Sequence, residues 1–541
     1  MQKCFPDQGA IGAWPKYAVV ALPLIYLAVA LIYSANAAPW GRQVDPESAY
    51  AMNGLAWAAG YPMVMSEHPG TTTILLVGVV VRLGAFFAGR SDVIEFGLKN
   101  FDAIIYAARA AQAVILSGAL LAGGIIVRNV TNSAVAAMLF QISPFANSET
   151  LHVEVMLIPE SLMSACAIFG MALVLKAALD ARPPTIRLGV AQGAIFALGL
   201  SSKILYAPLA VLGVCLLRSP IALAAAFLVG AVSFWLFNFV FHPNVFTSGF
   251  QWIVGLATHK GMYGYGEPGF IDAKRFWSNV NAIIAAAPII SAVFLVGGSA
   301  SIARMVTSRN YFDPVSLTLA AAFVAFSAQV AATAKHFALH YMIASWLLTG
   351  GVLVLTAIEI HRLFSSRVSC RATSAAAALV CAALMSATLF QIRLEASQWT
   401  VLNNIGAKLS RAVVQAGPSC ANVSGMFVRA PENELNLGAD MTLETDEMVT
   451  RFSEAYVRTF DVPLLDHSFY RHSLLKNFHP YSYAQLAAEY PCLVVRTLSE
   501  LDPITSSGLL ELKPDHCSFE GIQIYTIGIP CEAIRARAAT L

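Results

Sequence analysis

Charge is scarce in this sequence. Of its 541 residues only 12% are Asp, Glu, Lys or Arg, against about 25% in an ordinary soluble domain. The charges nearly cancel, at a net +2, which gives no reason to expect a nucleic-acid partner held by a basic surface. There is no repeat at a fixed period, so a solenoid or propeller is excluded. No low-complexity linker separates independent modules. A Walker loop, a zinc-type His/Cys cluster and a GxSxG elbow are all missing, which removes the commonest nucleotide, zinc and serine-hydrolase chemistries.

What the chain has instead is apolar length: 57% of it is hydrophobic. A spanning helix needs about 20 mostly apolar residues. Candidate spans fall at 17–36, 70–89, 103–127, 132–146, 155–178, 187–202, 204–217, 220–241, 280–303, 314–334, 338–358 and 373–391. The expected architecture is therefore an all-α polytopic membrane protein with roughly 11–13 spans. Lys3 and Lys16 precede the apolar run Tyr17–Ala30, and Ala35, Ala37 and Ala38 offer a cleavage-like site. With so many spans following, an uncleaved signal anchor is preferred to a removed signal peptide. Pro144, Pro159, Pro208 and Pro288 mark kinks or helix ends.

Orientation follows from Lys and Arg in short loops. Lys176, Arg182 and Arg187 share one loop, and Arg218, then Arg304 and Arg309, then Arg362, Arg367 and Arg371 recur in alternate loops. Those loops are expected in the cytoplasm. The loops 37–69 and 242–278, the turn at Lys335–Leu339 and everything after about Gln391 are then outside. One inconsistency stands: three candidate spans lie between 37–69 and 147–160, and an odd number cannot return the chain to the same side. One of 70–89, 103–127 and 132–146 must be re-entrant, interfacial or fused with its neighbour.

Beyond Gln391 apolar runs shorten and charge rises. Residues 1–391 read as the membrane domain and 392–541 as a small α/β extracytoplasmic domain. Within it Cys492–Arg496 and Gly521–Ile527 read as strands, and Met448–Phe460 as a helix. Four of the nine cysteines, Cys420, Cys492, Cys517 and Cys531, lie in this region. An even number there points to two disulfides and an oxidising compartment, with all three pairings open. The alternative is four unrelated buried thiols.

The candidate chemistry is outward. Asp45-Pro46-Glu47 suits a helix start, with Asp45 either a plain N-cap or an acid held above the bilayer where it takes a proton from a hydroxyl. Ala49–Ala59 then reads as an amphipathic helix lying on the membrane. Glu67-His68-Pro69-Gly70 precedes the next span, and His68 suits a general acid, a phosphate contact, a metal ligand or an interfacial residue. The segment 129–175 has no Lys or Arg but holds Glu149, His152, Glu154 and Glu160. Glu160 follows Pro159 at a helix start, where the dipole alone accounts for an acid; acids at the edge of a span are nevertheless functional by default. Lys203, Lys335, His336, His340 and Tyr341 lie at outward ends of spans, either snorkelling or converging on an anion. The loop of about 35 residues at 242–278 is long enough to be functional. It carries His259, Lys260, Tyr263, Tyr265 and Glu267 among glycines, a composition suited to stacking on a sugar.

These elements, in this order, resemble the polytopic GT-C glycosyltransferases, which include protein O-mannosyltransferases and the aminoarabinose and arabinofuranosyl transferases. Asp45 and Glu47 stand in the first outer loop. Glu67-His68-Pro69-Gly70 resembles the His-Pro element before the second span, with Gly70 where a second proline is usual. Pro159-Glu160 resembles a later acidic position. Lys335 through Met342 resembles a basic element in which Arg-Tyr is commoner than His340-Tyr341. The resemblance covers most of residues 1–391 through short motifs. It implies inverting displacement on a polyprenyl-phosphate sugar, at the outer face of what would be a bacterial inner membrane, with a glycan, lipid or protein as acceptor. Asp45 would be the general base, with Glu47 and Glu160 as alternatives. Lys203, Lys335, His336, His340 and Tyr341 would hold the donor phosphate. His68, His259, Lys260, Tyr263, Tyr265 and Glu267 would bind substrate. A divalent metal on Asp45 and Glu160 is compatible but not demanded. The competing classes are a transporter or flippase for a lipid-linked or anionic sugar, and a non-catalytic assembly protein that binds wall polymers.

Overall fold

The structure is a computed structural model that describes residues 18–36, 47–65, 70–260, 266–364, 370–416, 420–425, 431–460, 463–468, 473–497 and 509–540. Its helices are α1 (Ala18–Asn36), α2 (Glu47–Ala58), α3 (Thr71–Phe87), α4 (Val93–Lys99), α5 (Phe101–Thr131), α6 (Ala134–Gln141), α7 (Ser148–Glu154), α8 (Pro159–Leu179), α9 (Ile186–Ser202), α10 (Pro220–Phe241), α11 (Ser248–Thr258), α12 (Ala273–Ala286), α13 (Pro288–Ser308), α14 (Pro314–Lys335), α15 (Ile343–Trp346), α16 (Thr349–Phe364), α17 (Cys370–Ala416), α18 (Pro431–Asp440), α19 (Asp446–Thr459), α20 (Tyr483–Glu489) and α21 (Cys531–Thr540). The strands are β1 (Cys420–Gly425), β2 (Leu465–Ser468), β3 (Ser473–Lys476), β4 (His479–Tyr481), β5 (Cys492–Thr497), β6 (Asp515–Phe519) and β7 (Ile522–Ile527). The protein is thus all-α and polytopic with a small strand-bearing C-terminal region. Six described helices are long and apolar enough to cross a membrane alone: α1, α5, α8, α10, α13 and α14. Residues Leu339–Trp346 and α16, bent by 45°, make a seventh.

The chain divides into two compact units. The first holds residues 1–33, 66–72 and 109–394; the second holds 34–65, 73–108 and 395–541.

In the first unit, cross-contacts fix the direction of each helix. Ser117 of α5 donates to Pro23 O, and Gln141 at the end of α6 donates to both Val19 O and Leu120 O. Phe145 packs on Tyr26, and His152 meets Tyr33 at 3.0 Å. The run from Ala134 to Glu154 therefore ascends alongside α1, broken at a 3₁₀ turn over Ser143–Phe145 that contains Pro144. It is a broken crossing, neither the single span 132–146 nor an outer loop from 147. Gln112 of α5 donates to Ile158 O beside the start of α8. So α5 descends, and it begins on the face where α1 ends.

This removes the parity problem. Only α3 could be a crossing between α1 and α5, and a lone crossing there would leave α5 on the wrong side. The expected span at 70–89 is therefore not one. Its exposed Leu83, Phe86 and Phe87 suit a helix lying at an interface. A second correction is at 280–303, where the helix breaks between Ala287 and Pro288. The proline opens α13 because its missing N–H is harmless at that position. Residues 204–216 cross as a 3₁₀ run containing Pro208, a tighter helix that rises about 2.0 Å per residue.

The second unit explains a third correction. Helix α2 is not an amphipathic helix on the membrane: eleven of its twelve residues are buried, and only Trp57 is not. Asn53 donates to Thr442 Oγ1 at 2.7 Å and accepts from Val64 N and Met65 N. A Cβ on Gly438 would lie 2.4 Å from Ser48 O, so α18 approaches α2 at backbone contact. A helix packed all round needs no polar face.

The sheet runs β4-β3-β2-β1-β5-β7-β6, with β1 parallel to both β2 and β5 and the other pairs antiparallel. Cys420 and Cys492 are register partners across β1 and β5 and are disulfide-bonded; Cys517 of β6 bonds Cys531 at the start of α21. On β3, next to the edge strand β4, a hydrogen bond from Lys476 holds Glu489 below the usual carboxylate range, and the same bond raises the lysine. Helix α17 runs unbroken through 391 to Ala416.

Candidate active site

Three helix ends of the first unit converge. Glu160 sits in the first turn of α8, behind Pro159. Lys203 terminates α9 and precedes the 3₁₀ run. His340 and Tyr341 lie in the short turn after α14. Lys203 pairs with Glu160, and neither side chain is exposed. The His340 Nε2 is 3.7 Å from the same Glu160 oxygen. The Lys203 ammonium lies 4.7 Å from the centre of the Tyr341 ring, and the His340 ring packs edge-on against it at 4.4 Å. Gln329, buried in α14, fixes this turn by donating to Tyr341 O at 2.6 Å.

A buried carboxylate is tolerated here for physical reasons. The N-terminal dipole of α8 favours it, and a lysine and a histidine approach one of its oxygens. The cation in turn spreads over an aromatic face.

Because the start of α8 and the ends of α9 and α14 meet at this cluster, their other ends lie on the opposite face. There Arg218 donates to Asp180 O at 3.0 Å, and Arg362 pairs with Asp313 at 3.1 Å. The arginine-bearing turns and the Glu160 cluster thus occupy opposite ends of the helices.

Beside Tyr341 opens a cavity of about 460 Å³. Its walls are apolar, including Ile204, Leu205, Trp252, Leu256 and Phe276, and its few polar groups are Tyr341, Lys335 and His336. Lys335 and His336 do not reach the Glu160 pair. Lys335 donates to Ala257 O at 2.8 Å and lies over the Phe270 ring at 4.5 Å; His336 contacts Leu256 O at 3.0 Å. Both engage the last carbonyls of α11, which have no partner within their own helix.

The remaining candidates separate. His259 and Lys260 lie on a hairpin in which His259 bridges to Pro268 and Lys260 N donates to Glu267 O. The exposed Lys260 and Glu267 side chains are 4.0 Å apart. Glu47 is buried at the start of α2 in the second unit. Asp45, His68, Tyr263 and Tyr265 lie outside the described residues. Gly70 has φ +58°, which proline cannot adopt, and its N–H donates to Ser202 O one residue before Lys203. Two residues were overlooked in assigning roles. Gln329 is a polar residue in mid-span, itself a signal. Glu149 at the start of α7 lies within electrostatic reach of His340.

No metal site forms among the described residues, where no three His, Cys, Asp or Glu side chains converge. Glu160 turns one oxygen, Oε1, to Lys203 and His340, and its buried Oε2 makes no hydrogen bond among the described residues.

Neither family sequence models nor characterised protein sequences match the chain. Solved structures do. ArnT from Cupriavidus metallidurans bound to undecaprenyl phosphate superposes with a TM-score of 0.50 at 11% identity, over 96% of this chain and 99% of that one. The chain thus shares the fold of that protein. The apo form of the same protein gives 0.49 at 12% identity, over 94% and 97% of the two chains. The Archaeoglobus fulgidus oligosaccharyltransferase gives 0.39 at 13%, over 76% and 63%.

Proposed function

We propose that the protein is a membrane glycosyltransferase that moves a sugar from a polyprenyl-phosphate donor to an acceptor hydroxyl or amine at the extracytoplasmic face. It would lie in a bacterial inner membrane with residues 392–541 outside. The observation that carries the reading is the adjacency of two unlike environments. An apolar cavity suited to an isoprenoid chain opens beside the buried Lys203–Glu160 pair and His340, whose basic groups suit its phosphate, with Tyr341 belonging to both. A transporter would need its polar site near mid-membrane, whereas this cluster gathers at helix ends.

In this mechanism the acceptor oxygen or nitrogen attacks the anomeric carbon from the side opposite the phosphate. The bond from that carbon to the phosphate oxygen breaks, and the configuration inverts. Asp45 accepts the acceptor's proton. Lys203 and His340 stabilise the charge that develops on the departing phosphate, and Glu160 keeps both side chains in place. Preorganised charge in a site closed to water is effective because nothing must reorient as the bond breaks.

The test is direct. Purified protein in nanodiscs is incubated with a panel of polyprenyl-phosphate-linked sugars and a mixed envelope-glycan acceptor fraction, and released polyprenyl phosphate is measured. Release is expected with at least one donor and not with the Asp45→Asn variant. No release from any donor overturns the reading; full activity in Asp45→Asn removes Asp45 as the base.

A further inference from the structure

A second pocket lies wholly within the second unit and differs in chemistry from the apolar cavity. It has a volume of about 370 Å³ and is lined by Tyr61, Ser91, Asp92 and Arg451, together with Ala58, Ala59, Val93 and Ile94. That volume falls in the range of small-molecule sites, about 300–1,000 Å³.

Its one carboxylate is fully committed. Asp92 Oδ1 accepts from Ile94 N and Glu95 N, both at 3.0 Å, and Oδ2 takes Arg458 at 3.1 Å. Asp92 therefore has little left to offer a cation or a sugar hydroxyl. Arg458 is committed as well, to Asp92 and, at 4.0 Å, to Glu454. Arg451 lies seven residues earlier, on the same face of α19, and faces the pocket. Among the described residues its guanidinium makes no ion pair or hydrogen bond, and neither do the Tyr61 and Ser91 hydroxyls. The Tyr61 ring is braced by Phe452, with centroids 6.4 Å apart.

The groups left unspent are therefore donors: one guanidinium and two hydroxyls, beside an aromatic ring. A guanidinium matches a carboxylate or a phosphate ester in a two-pronged geometry. Hydroxyls and an aromatic face suit a sugar, and the volume exceeds what a bare anion fills. We infer that this pocket binds an anionic saccharide, a sugar bearing a carboxylate or a phosphate ester, with Arg451 holding the charge. The inference does not rest on the transferase reading, because the pocket would bind such a sugar whether or not transfer occurs.

The experiment uses the full chain in nanodiscs and titrates glucuronate, glucose 6-phosphate, glucose and inorganic phosphate by isothermal calorimetry. At least one of the two anionic sugars is expected to bind, with affinity falling as salt rises. Arg451→Gln should weaken that binding at least tenfold, and Tyr61→Phe should weaken it less. Arg451 is exposed, so its replacement leaves the fold intact, and circular dichroism checks this. Binding of inorganic phosphate as tight as either sugar acid overturns the saccharide assignment. Absence of binding by both sugar acids, or unchanged affinity in Arg451→Gln, overturns the site. Loss of transferase activity alone bears on neither outcome, since binding is read directly.

Discussion

Lys203 and Glu160, 43 residues apart in sequence, form an ion pair in which both side chains are completely buried. Such a pair is asymmetric in its energetics. Removing both partners for apolar groups is often neutral, whereas removing one leaves a buried charge at a cost of about 3–5 kcal/mol. Lys203→Met alone is expected to lower the unfolding temperature of the protein in detergent markedly. Adding Glu160→Leu to it should recover most of the loss, while neither protein transfers sugar. Thermal unfolding of the three proteins checks this, and a double variant no more stable than the single one would show that the pair is not an isolated couple.

Lys335 and His336 hold the carbonyls of Ala257 and Leu256 rather than the Glu160 pair. Lys335→Met should therefore loosen the end of α11. Hydrogen exchange across residues 253–260 is expected to speed up, with the polyprenyl phosphate of the proposed donor still bound. Unchanged exchange together with lost binding of that lipid would instead make Lys335 part of the phosphate clamp.

The site was legible where the chemistry was conspicuous. Glu160, Lys203 and His340 are ionisable groups at the ends of apolar runs, and such groups are rare enough to be marked by composition alone. What composition could not give is pairing. Lys335 and His340 are five residues apart, and only the short turn between them sends one to α11 and the other to Glu160. The same limit applies to α3, which is as apolar as a crossing helix. Its role follows from contacts of α1, α5 and α8 with one another, which no local pattern encodes. In the C-terminal region, β5 and β7 have six residues each and could be read directly, whereas β2, β3 and β4 have three or four, too few to display alternation. The burial of α2 was hidden because its covering helix, α18, lies almost four hundred residues away in the chain.

Gly350 of α16 marks a backbone approach that tolerates no side chain. A Cβ there would lie 2.3 Å from Phe140 O and 2.6 Å from Leu139 O, at the end of α6. The neighbouring groups are backbone, so they cannot swing aside. Gly350→Ala is expected to destabilise the protein by about 1–3 kcal/mol, the usual penalty of overpacking. A thermal unfolding midpoint equal to that of the parent would mean that α6 and α16 separate freely.

The two disulfides close loops of very different length, and this orders their effects. Cys420 and Cys492 are 72 residues apart and Cys517 and Cys531 are 14 apart. A crosslink restricts the unfolded chain more when the loop is longer, so removing the first is expected to cost about 4 kcal/mol and the second about 3 kcal/mol. The first also ties the register of β1 to β5 at the centre of the sheet, whereas the second anchors α21 to the edge strand β6. Peptide mapping without reductant should recover these two pairs and no others among the four cysteines. Cys420→Ser/Cys492→Ser should then unfold at lower denaturant than Cys517→Ser/Cys531→Ser, monitored on the full chain by tryptic release of fragments from residues 392–541. The reverse order would mean that native packing, rather than the unfolded chain, sets the contribution of each bond.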